Sequence, residues 1–527
     1  MTEAATPIST APTIDAIPAV DAAAESGVVV WHRRGLRTAD HPALTAAVDT
    51  ADRVLPLFVF DPTFYRDSGL ACDARSEFLH ESLAALDSQY DSLGGGLTYA
   101  HGDPVEILSR FRDQGWQVVA SAEPTGRYGR ERDNAAAAEA DVEFVAGDGL
   151  IREAADTREG WSDHVEAWFT ADQHAVDSGD ADFVTLETPL TPDRVADAYD
   201  IDPTKERVPR GGREAGRRRL HHFADSIRSY PGNISAPSDA EDGTSRLSPY
   251  LRFGCLSVRE VYQHIDEHAP DCRGKQMFIS RLYWNRHYTQ KLADWPGWLD
   301  TAVNPVMEEF HADNHDPALV DAWKQGQTGY PMVDASMRCL RETGWLNFRM
   351  RAMCASFLCD LCQQPWQIGA DWFYYHLIDA DPAINYTQFQ TQAGVVGTNM
   401  LRIYNPRKQV RDNDPDGEFI REWVPELRPL PDKFLDQPEK TPLAVQDEYG
   451  VDIGDDYPYP IVEYEAARER IQTKLEAVRD DARRALQRPE VAERASLSRR
   501  GRGSGGQPSA DEATADTDDD QASLSEF

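Results

Sequence analysis

The sequence predicts two domains of different class: an N-terminal α/β domain built on a doubly wound parallel sheet, then an all-α domain. Three observations carry this expectation. From Gly27 to about residue 155, short β-rich runs alternate with helical stretches. A segment rich in Asp, Thr and Pro follows at about 176–205. Beyond it, apolar residues recur every three or four positions, the period of a helix. In order, the first domain reads GVVVWHRR, VLPLFVFD, a helix around 77–90, GLTYAHGD, a helix around 104–112, WQVVASAE, a helix after Arg130, and VEFVAG. Such alternation implies a parallel sheet with helices on both faces. The expected divisions are a disordered extension over 1–26, the α/β domain over 27–155, an interdomain linker with helical segments over 156–224, the helical domain over 225–470, a C-terminal helix over 471–494, and a disordered acidic tail over 495–527. Of the two ends, the first is rich in Ala, Pro and Thr and the last runs RRGRGSGG into ATADTDDD, biased compositions that read as disordered.

The 527 residues include 54 Lys and Arg against 90 Asp and Glu, a formal charge of −36. That is far from the basic balance of a typical nucleic-acid binder. It suits a halophilic protein, because at 1 M salt the Debye length falls to ~3 Å and self-repulsion is screened. No run of apolar residues is long enough for a membrane span, and the first 26 residues lack a basic start followed by an apolar run, so a cytoplasmic protein is expected. A monomer is the default oligomeric state. Seven cysteines, an odd number, suit reduced thiols. Four of them, Cys339, Cys354, Cys359 and Cys362, are expected to pack in the core rather than bind a metal or cluster, because three lie in an apolar helical run.

In the second domain, VDASMRCLRE has apolar positions at 333, 337 and 340, with Gly344 placed to end the helix in a left-handed cap. The next helix, over about 347–361, carries Met350, Met353, Phe357 and Leu361 on one stripe. SRLYWNRHYTQKL places Arg281, Trp284 and Tyr288 on a single helical face, either a dense helix contact or the wall of an aromatic ligand's pocket. GTSRLSPYLRFGCLS (243–257) gathers Thr, Ser and Arg at the start of a helix, where they serve as a cap or as a pyrophosphate cradle. LIDADPAINYTQFQTQAG (377–394) has no clear period, and its composition alone reads as a polar surface loop.

Several of these segments, taken with AWKQGQTGYPMVDASMRCLRETGW (322–345) and RIYNPRKQVRDNDPDGEFIREWVPEL (402–427), keep the order and spacing of one family. From about 28 to 468 the chain resembles the photolyase/cryptochrome family. The resemblance implies that the helical domain holds FAD. Thr244, Ser245, Arg246, Leu247 and Ser248 would then hold its diphosphate, Arg351 would face Asp379 beside the isoalloxazine, Asp381 would meet the ring's polar edge, and Asn385 would sit near its N5. Carboxylates and amides at that edge tune the redox state of the ring. Trp284 matches the residue that stacks on a flipped dimer in UV-damaged DNA, and Arg349 and Arg402 match positions that approach DNA phosphates. EPTGRYGRERD (123–133) lies where an antenna pigment such as a folate or deazaflavin would bind.

The chain also departs from the family pattern. Arg281 stands where a glutamate that contacts the dimer is expected, Phe348 replaces an asparagine, Ala352 a methionine and Thr391 a tryptophan. No histidine pair occurs in the pocket segments, which argues against repair of the six-four photoproduct by proton donation from histidine. Trp366 keeps the middle position of the family's tryptophan chain, but Phe389 takes the place nearest the flavin and Asp313 the outermost. Phenyl is much harder to oxidise than indole, so that route is expected to be impaired unless Tyr386, Trp372 or Tyr374 supplies a detour. Trp366→Phe should therefore leave flavin photoreduction nearly unchanged, measured as bleaching of the oxidised flavin under light. Two expectations stand side by side: a light-driven DNA repair enzyme with a pocket rebuilt around Arg281, and a cryptochrome-type sensor that binds FAD without turnover. A nucleotide-binding α/β protein with no light chemistry would need the helical-domain motifs to match by accident.

Overall fold

The computed structural model describes residues 26–65, 69–152, 157–397 and 402–495. The ends expected to be disordered lie outside that range, except for residues 26 and 495. Five parallel strands, β1 (Val28–His32), β2 (Arg53–Phe60), β3 (Thr98–His101), β4 (Gln117–Ser121) and β5 (Glu143–Val145), form the order β3-β2-β1-β4-β5. A sixth, β6 (Asp182–Phe183), pairs with the start of β2. Register is continuous from Val28 opposite Val54 to His32 opposite Phe58. Alternate residues serve opposite faces. Val28 and Val30 join one core with Leu220 and Ile378, whereas Val29 and Trp31 pack with Ile107, Leu108 and Phe111. Burial on both faces is why these strands read as unbroken apolar runs. β6 falls in the stretch expected to be linker, as do helices Trp161–Thr170, Pro192–Ala198 and Arg213–Ser226.

The remaining chain is helical. Among the described residues the longest helices are Arg273–Asp294 and Tyr464–Leu486. The C-terminal helix expected over 471–494 is two: Tyr464–Leu486 and Pro489–Arg494, separated where Arg488 adopts extended backbone before a proline. Gly344 ends the helix Pro331–Thr343 in the left-handed conformation, φ 66°. A Cβ there would meet Ile378 Cγ1 at 2.7 Å, so glycine is required for both the turn and the close approach.

The expected helix over 347–361 is α-helical only over Phe348–Ser356; Phe357–Leu361 is a π-helical turn. It sets Asp360 inward against Ser356 Oγ at 2.6 Å. Burial raises the Asp360 carboxyl to about 8, so the folded protein holds a proton there that the unfolded chain releases near pH 4. Stability attached to this group is therefore greatest in acid and falls as pH rises from about 4 to 8. Asp360→Asn should melt higher than the wild type at pH 8 by on the order of 1 kcal/mol or more, with the gap closing toward pH 4. Thermal melts across that range check it.

Cys339, Cys354, Cys359 and Cys362 all lie in the core of the helical domain. Burial pushes the Cys339 thiol up to about 12 and the other three upward as well, so they are protonated thiols at neutral pH.

Candidate functional site

The LIDAD turn is the centre of the site, and it is not a surface loop. Pro382–Gln392 is a helix with Asp381 as its N-cap, accepting from the amides of Ala383 at 2.9 Å and Ile384 at 3.2 Å. The helix is buried on several sides, so its polar residues do not line up on a solvent face. Gln390, fully buried, takes the Val303 amide at 2.9 Å and donates to the carbonyls of Trp298 and Thr301, both at 2.9 Å. A helix with polar residues bonded inward has no apolar stripe, which explains why sequence periodicity missed it.

Arginines from both domains hold the turn by its carbonyls. Arg75 donates to Tyr374 at 2.5 Å and Leu377 at 3.4 Å, and Arg252 Nε to Ala380 at 2.6 Å. The Ile378 amide bonds the Gly344 carbonyl at 3.0 Å. Asp379 thereby meets Arg351, whose Nη2 lies 3.0 and 3.2 Å from the two carboxylate oxygens. Arg351 Nε is fixed in turn on the Leu346 carbonyl at 2.6 Å. Asp379 is 6% exposed at the side chain and Arg351 23%, so the pair is largely dry. Asp381, expected at the ring's edge, caps its helix and has its second oxygen 3.7 Å from Arg34 of the α/β domain. Asn385 is buried and donates to the Ala370 carbonyl at 2.8 Å.

In the Thr244–Ser248 segment, capping is not what the hydroxyls do. The helix Ser248–Arg252 is five residues long, and no side chain caps it. Thr244 Oγ1 donates to the Ala240 carbonyl at 2.7 Å, Ser245 Oγ accepts from the Leu247 amide at 3.4 Å, Leu247 is buried, and Ser248 is exposed. Arg219 grips the carbonyls of Thr244 and Ser245 at 3.1 and 3.0 Å. Arg246 adopts φ 50°, a left-handed conformation costing a non-glycine residue about 1–2 kcal/mol. Its guanidinium lies 3.9 Å from the centre of the Trp345 ring. Among the described residues no carboxylate pairs with it; the Glu241 carbonyl is 3.4 Å away. Nearby, the buried Asn347 Oδ1 has no hydrogen-bond partner among the described residues. A strained, half-buried cation with no carboxylate in direct contact, beside the exposed Ser248 hydroxyl and an orphaned acceptor, fits an anionic ligand with polar edges, as a dinucleotide flavin is.

Arg281, Trp284 and Tyr288 share one face of Arg273–Asp294, with the rings of Trp284 and Tyr288 5.5 Å apart. Burial raises the pKa of the Tyr230 and Tyr288 hydroxyls, and the charge of the neighbouring Arg281 works against it at both. Five residues after Tyr230, Ser235 Oγ accepts from Arg349 at 3.1 Å, so Tyr230–Ser235 links Arg281 to Arg349. Phe348 is 48% exposed. Arg402 is exposed, 5.8 Å from the Tyr404 ring centre. Trp366 is buried, edge-on to Tyr386 at 6.4 Å, and Phe389 packs edge-on to Phe373 at 5.2 Å. The Asp313 side chain lies outside the described residues. In EPTGRYGRERD, Arg132 and Asp133 pair with each other at 2.9 Å, and Arg33 also binds Asp133.

Sequence reasoning missed Arg75, Arg219, Arg252 and Arg34. Arg252 and Arg34 lie inside motifs that were singled out, but nothing marks Arg75 or Arg219, since an arginine on a helix reads the same whether it faces water or a carbonyl.

Residues 278–477 match the family model described as the FAD binding domain of DNA photolyase, and residues 28–178 match that described as DNA photolyase; the 244–248 segment lies between them. The fold and site thus define a two-domain flavoprotein with a parallel α/β domain and a helical FAD-binding domain. The chain is 32% identical to the deoxyribodipyrimidine photo-lyase of Streptomyces griseus, over 85% of this chain and 98% of that one. It is 30% identical to the cryptochrome DASH of Natronomonas pharaonis, over 83% and 98%. The solved structure of an archaeal photolyase from Sulfolobus tokodaii with two FAD molecules superposes with a TM-score of 0.70 at 27% identity, covering 86% of this chain and all of that one. The chain belongs to the photolyase/cryptochrome family. No helix among the described residues is long and apolar enough to cross a membrane.

Proposed function

We propose that the protein is a light-driven DNA repair flavoprotein that splits pyrimidine dimers in UV-damaged DNA. The observation that supports this reading is the continuity of Trp284, Arg281, the Tyr230–Ser235 segment and Arg349, an indole and two cations along one stretch of the helical domain. Bound, reduced FAD supplies the electron that light drives into the lesion. The chain's residues do the rest. Thr244–Ser248 and Arg246 hold the diphosphate, and Arg351 with Asp379 sets the charge beside the ring. Asn385 orients the ring, Trp284 stacks on the flipped dimer, and Arg281 donates to its carbonyl oxygens in place of a carboxyl group. Arg349 and Arg402 hold phosphates. The crevice between β1 and β4, where the strand order reverses, is lined by Arg34, Glu123, Asp148 and Trp168, and it is the place for a second, antenna chromophore such as a folate, deazaflavin or flavin.

The test is blue light on the purified, reduced, FAD-loaded protein with dimer-containing DNA, measuring restored pyrimidines. No restoration with FAD bound and reduced would favour the cryptochrome-type sensor, to which the changes at Arg281, Phe348, Ala352 and Thr391 point. Trp284→Ala should weaken binding of dimer-containing oligonucleotide by about 10- to 100-fold, the loss of a base–aromatic stack worth about 1–3 kcal/mol. Affinity for undamaged duplex should barely move; titration of both DNAs checks it.

A further inference from the structure

Phe389 leaves the flavin site without an easily oxidised ring at that position of its helix, but the preceding turn carries one. Tyr386 follows Asn385 directly. It is 4% exposed, its ring meets Trp366 edge-on at 6.4 Å, and it lies 5.7 Å from Tyr374. Its hydroxyl donates to Asp371 Oδ1 at 2.5 Å. Arg127, reaching over from the α/β domain, sets both partners. Its Nη1 is 3.3 Å from the hydroxyl and 3.2 Å from Asp371 Oδ1, and its guanidinium covers the Tyr386 ring at 4.9 Å. The same guanidinium is anchored on Asp300 and on the Leu299 carbonyl. Asp371 is 54% exposed. The arrangement is a buried phenol with a carboxylate on its proton and an exit to water.

We infer that Tyr386 is the electron donor that reduces photoexcited, oxidised FAD in this chain, with Asp371 taking the phenolic proton as the electron leaves. The inference rests on the flavin photochemistry proposed above. Burial and the neighbouring Asp371 carboxylate raise the phenol's pKa, so it is protonated at rest. Losing an electron alone would leave a cationic phenol beside Arg127, and losing the proton to Asp371 at the same time avoids that charge. The balance is one electron from the phenol to the flavin and one proton from Oη to Asp371 Oδ1, leaving a neutral phenoxyl radical. An external thiol then returns one electron, and the proton comes back from Asp371 or water. Arg127 is a positioning residue, holding carboxylate and hydroxyl in line.

The experiment illuminates the FAD-loaded full chain, without oxygen and with dithiothreitol, and follows bleaching of the oxidised flavin together with electron paramagnetic resonance for a tyrosyl radical. Tyr386→Phe keeps the ring against Trp366 and Arg127 and removes only the hydroxyl. It should bind FAD as the wild type does, bleach about tenfold slower or worse, and lose the tyrosyl signal. Asp371→Asn should bleach several-fold slower and lose the solvent deuterium isotope effect of the wild type. Bleaching of Tyr386→Phe at the wild-type rate, or a wild type with no tyrosyl signal, overturns the assignment while leaving the flavin reading intact. An isotope effect retained in Asp371→Asn overturns the proton's destination. A wild-type protein that takes up no FAD overturns both the assignment and the reading beneath it.

Discussion

Asp379→Ala should leave protein that holds about a tenth or less of the wild-type FAD and that unfolds about 3 kcal/mol more readily. Removing the carboxylate leaves Arg351 tied to the Leu346 carbonyl with its charge facing a largely dry site. An unpaired buried charge costs about 3–5 kcal/mol, and the partial exposure of Arg351 sets the lower end. The flavin suffers more than the fold, because the turn bearing Asp379 is the one that Arg75 and Arg252 hold by its carbonyls. Asp379→Asn keeps the shape and a hydrogen-bond acceptor. It should cost about 1 kcal/mol while removing the negative charge that faces Arg351. Flavin absorbance per chain and urea unfolding at neutral pH check both variants. Full FAD content in Asp379→Ala would show that this pair does not border the ring.

The second large effect is at the domain junction. Asp40 and Arg259 are almost completely buried and paired, with Ser257 Oγ donating to Asp40 Oδ2 at 2.5 Å and the His174 amide to Oδ1 at 3.2 Å. Asp40→Ala should destabilise the protein by about 3–5 kcal/mol by stranding the Arg259 guanidinium. A further ~1 kcal/mol comes from forcing alanine into the left-handed backbone that Asp40 adopts at φ 51°. Adding Arg259→Met should recover more than half of the loss, because it removes the stranded charge. Calorimetry on the single and double variants checks this, and full additivity would show that the two do not act as a pair. Burial alone would raise the Asp40 carboxyl, but the hydrogen bond from Arg259, the charge of Arg37 and the bond from Ser257 outweigh it, and its pKa is lowered. The stability it contributes is present above about pH 4 and is lost as pH falls through the folded value. Wild-type stability should drop more steeply below pH 4 than that of Asp40→Ala.

The Arg351–Asp379 pair was legible because both residues lie in motifs of recognisable order. Arg351 and Asp379 lie on segments whose spacing matches a family motif, and Gly344 announces the turn that Ile378 packs against. The Pro382–Gln392 helix was not legible, because its polar side chains bond inward to Trp298, Thr301 and Val303, and inward polar residues erase the apolar stripe. The place of Asp381 in the motif did not reveal that it caps the Pro382–Gln392 helix and faces Arg34, because both contacts are made in three dimensions.

By itself, the amino-acid order determined the parallel sheet, the switch to helix after it, and the cysteines in an apolar run, since each depends on period or spacing over a few tens of residues; membership of a flavin-binding family was legible only through the order of long motifs. Tertiary structure alone decided which arginines reach which carbonyls, where Asp381 points, and that Arg127 meets Tyr386 and Asp371 from 259 and 244 residues away. Those contacts depend on how two domains pack, and local sequence carries no record of the distance between side chains so far apart along the chain.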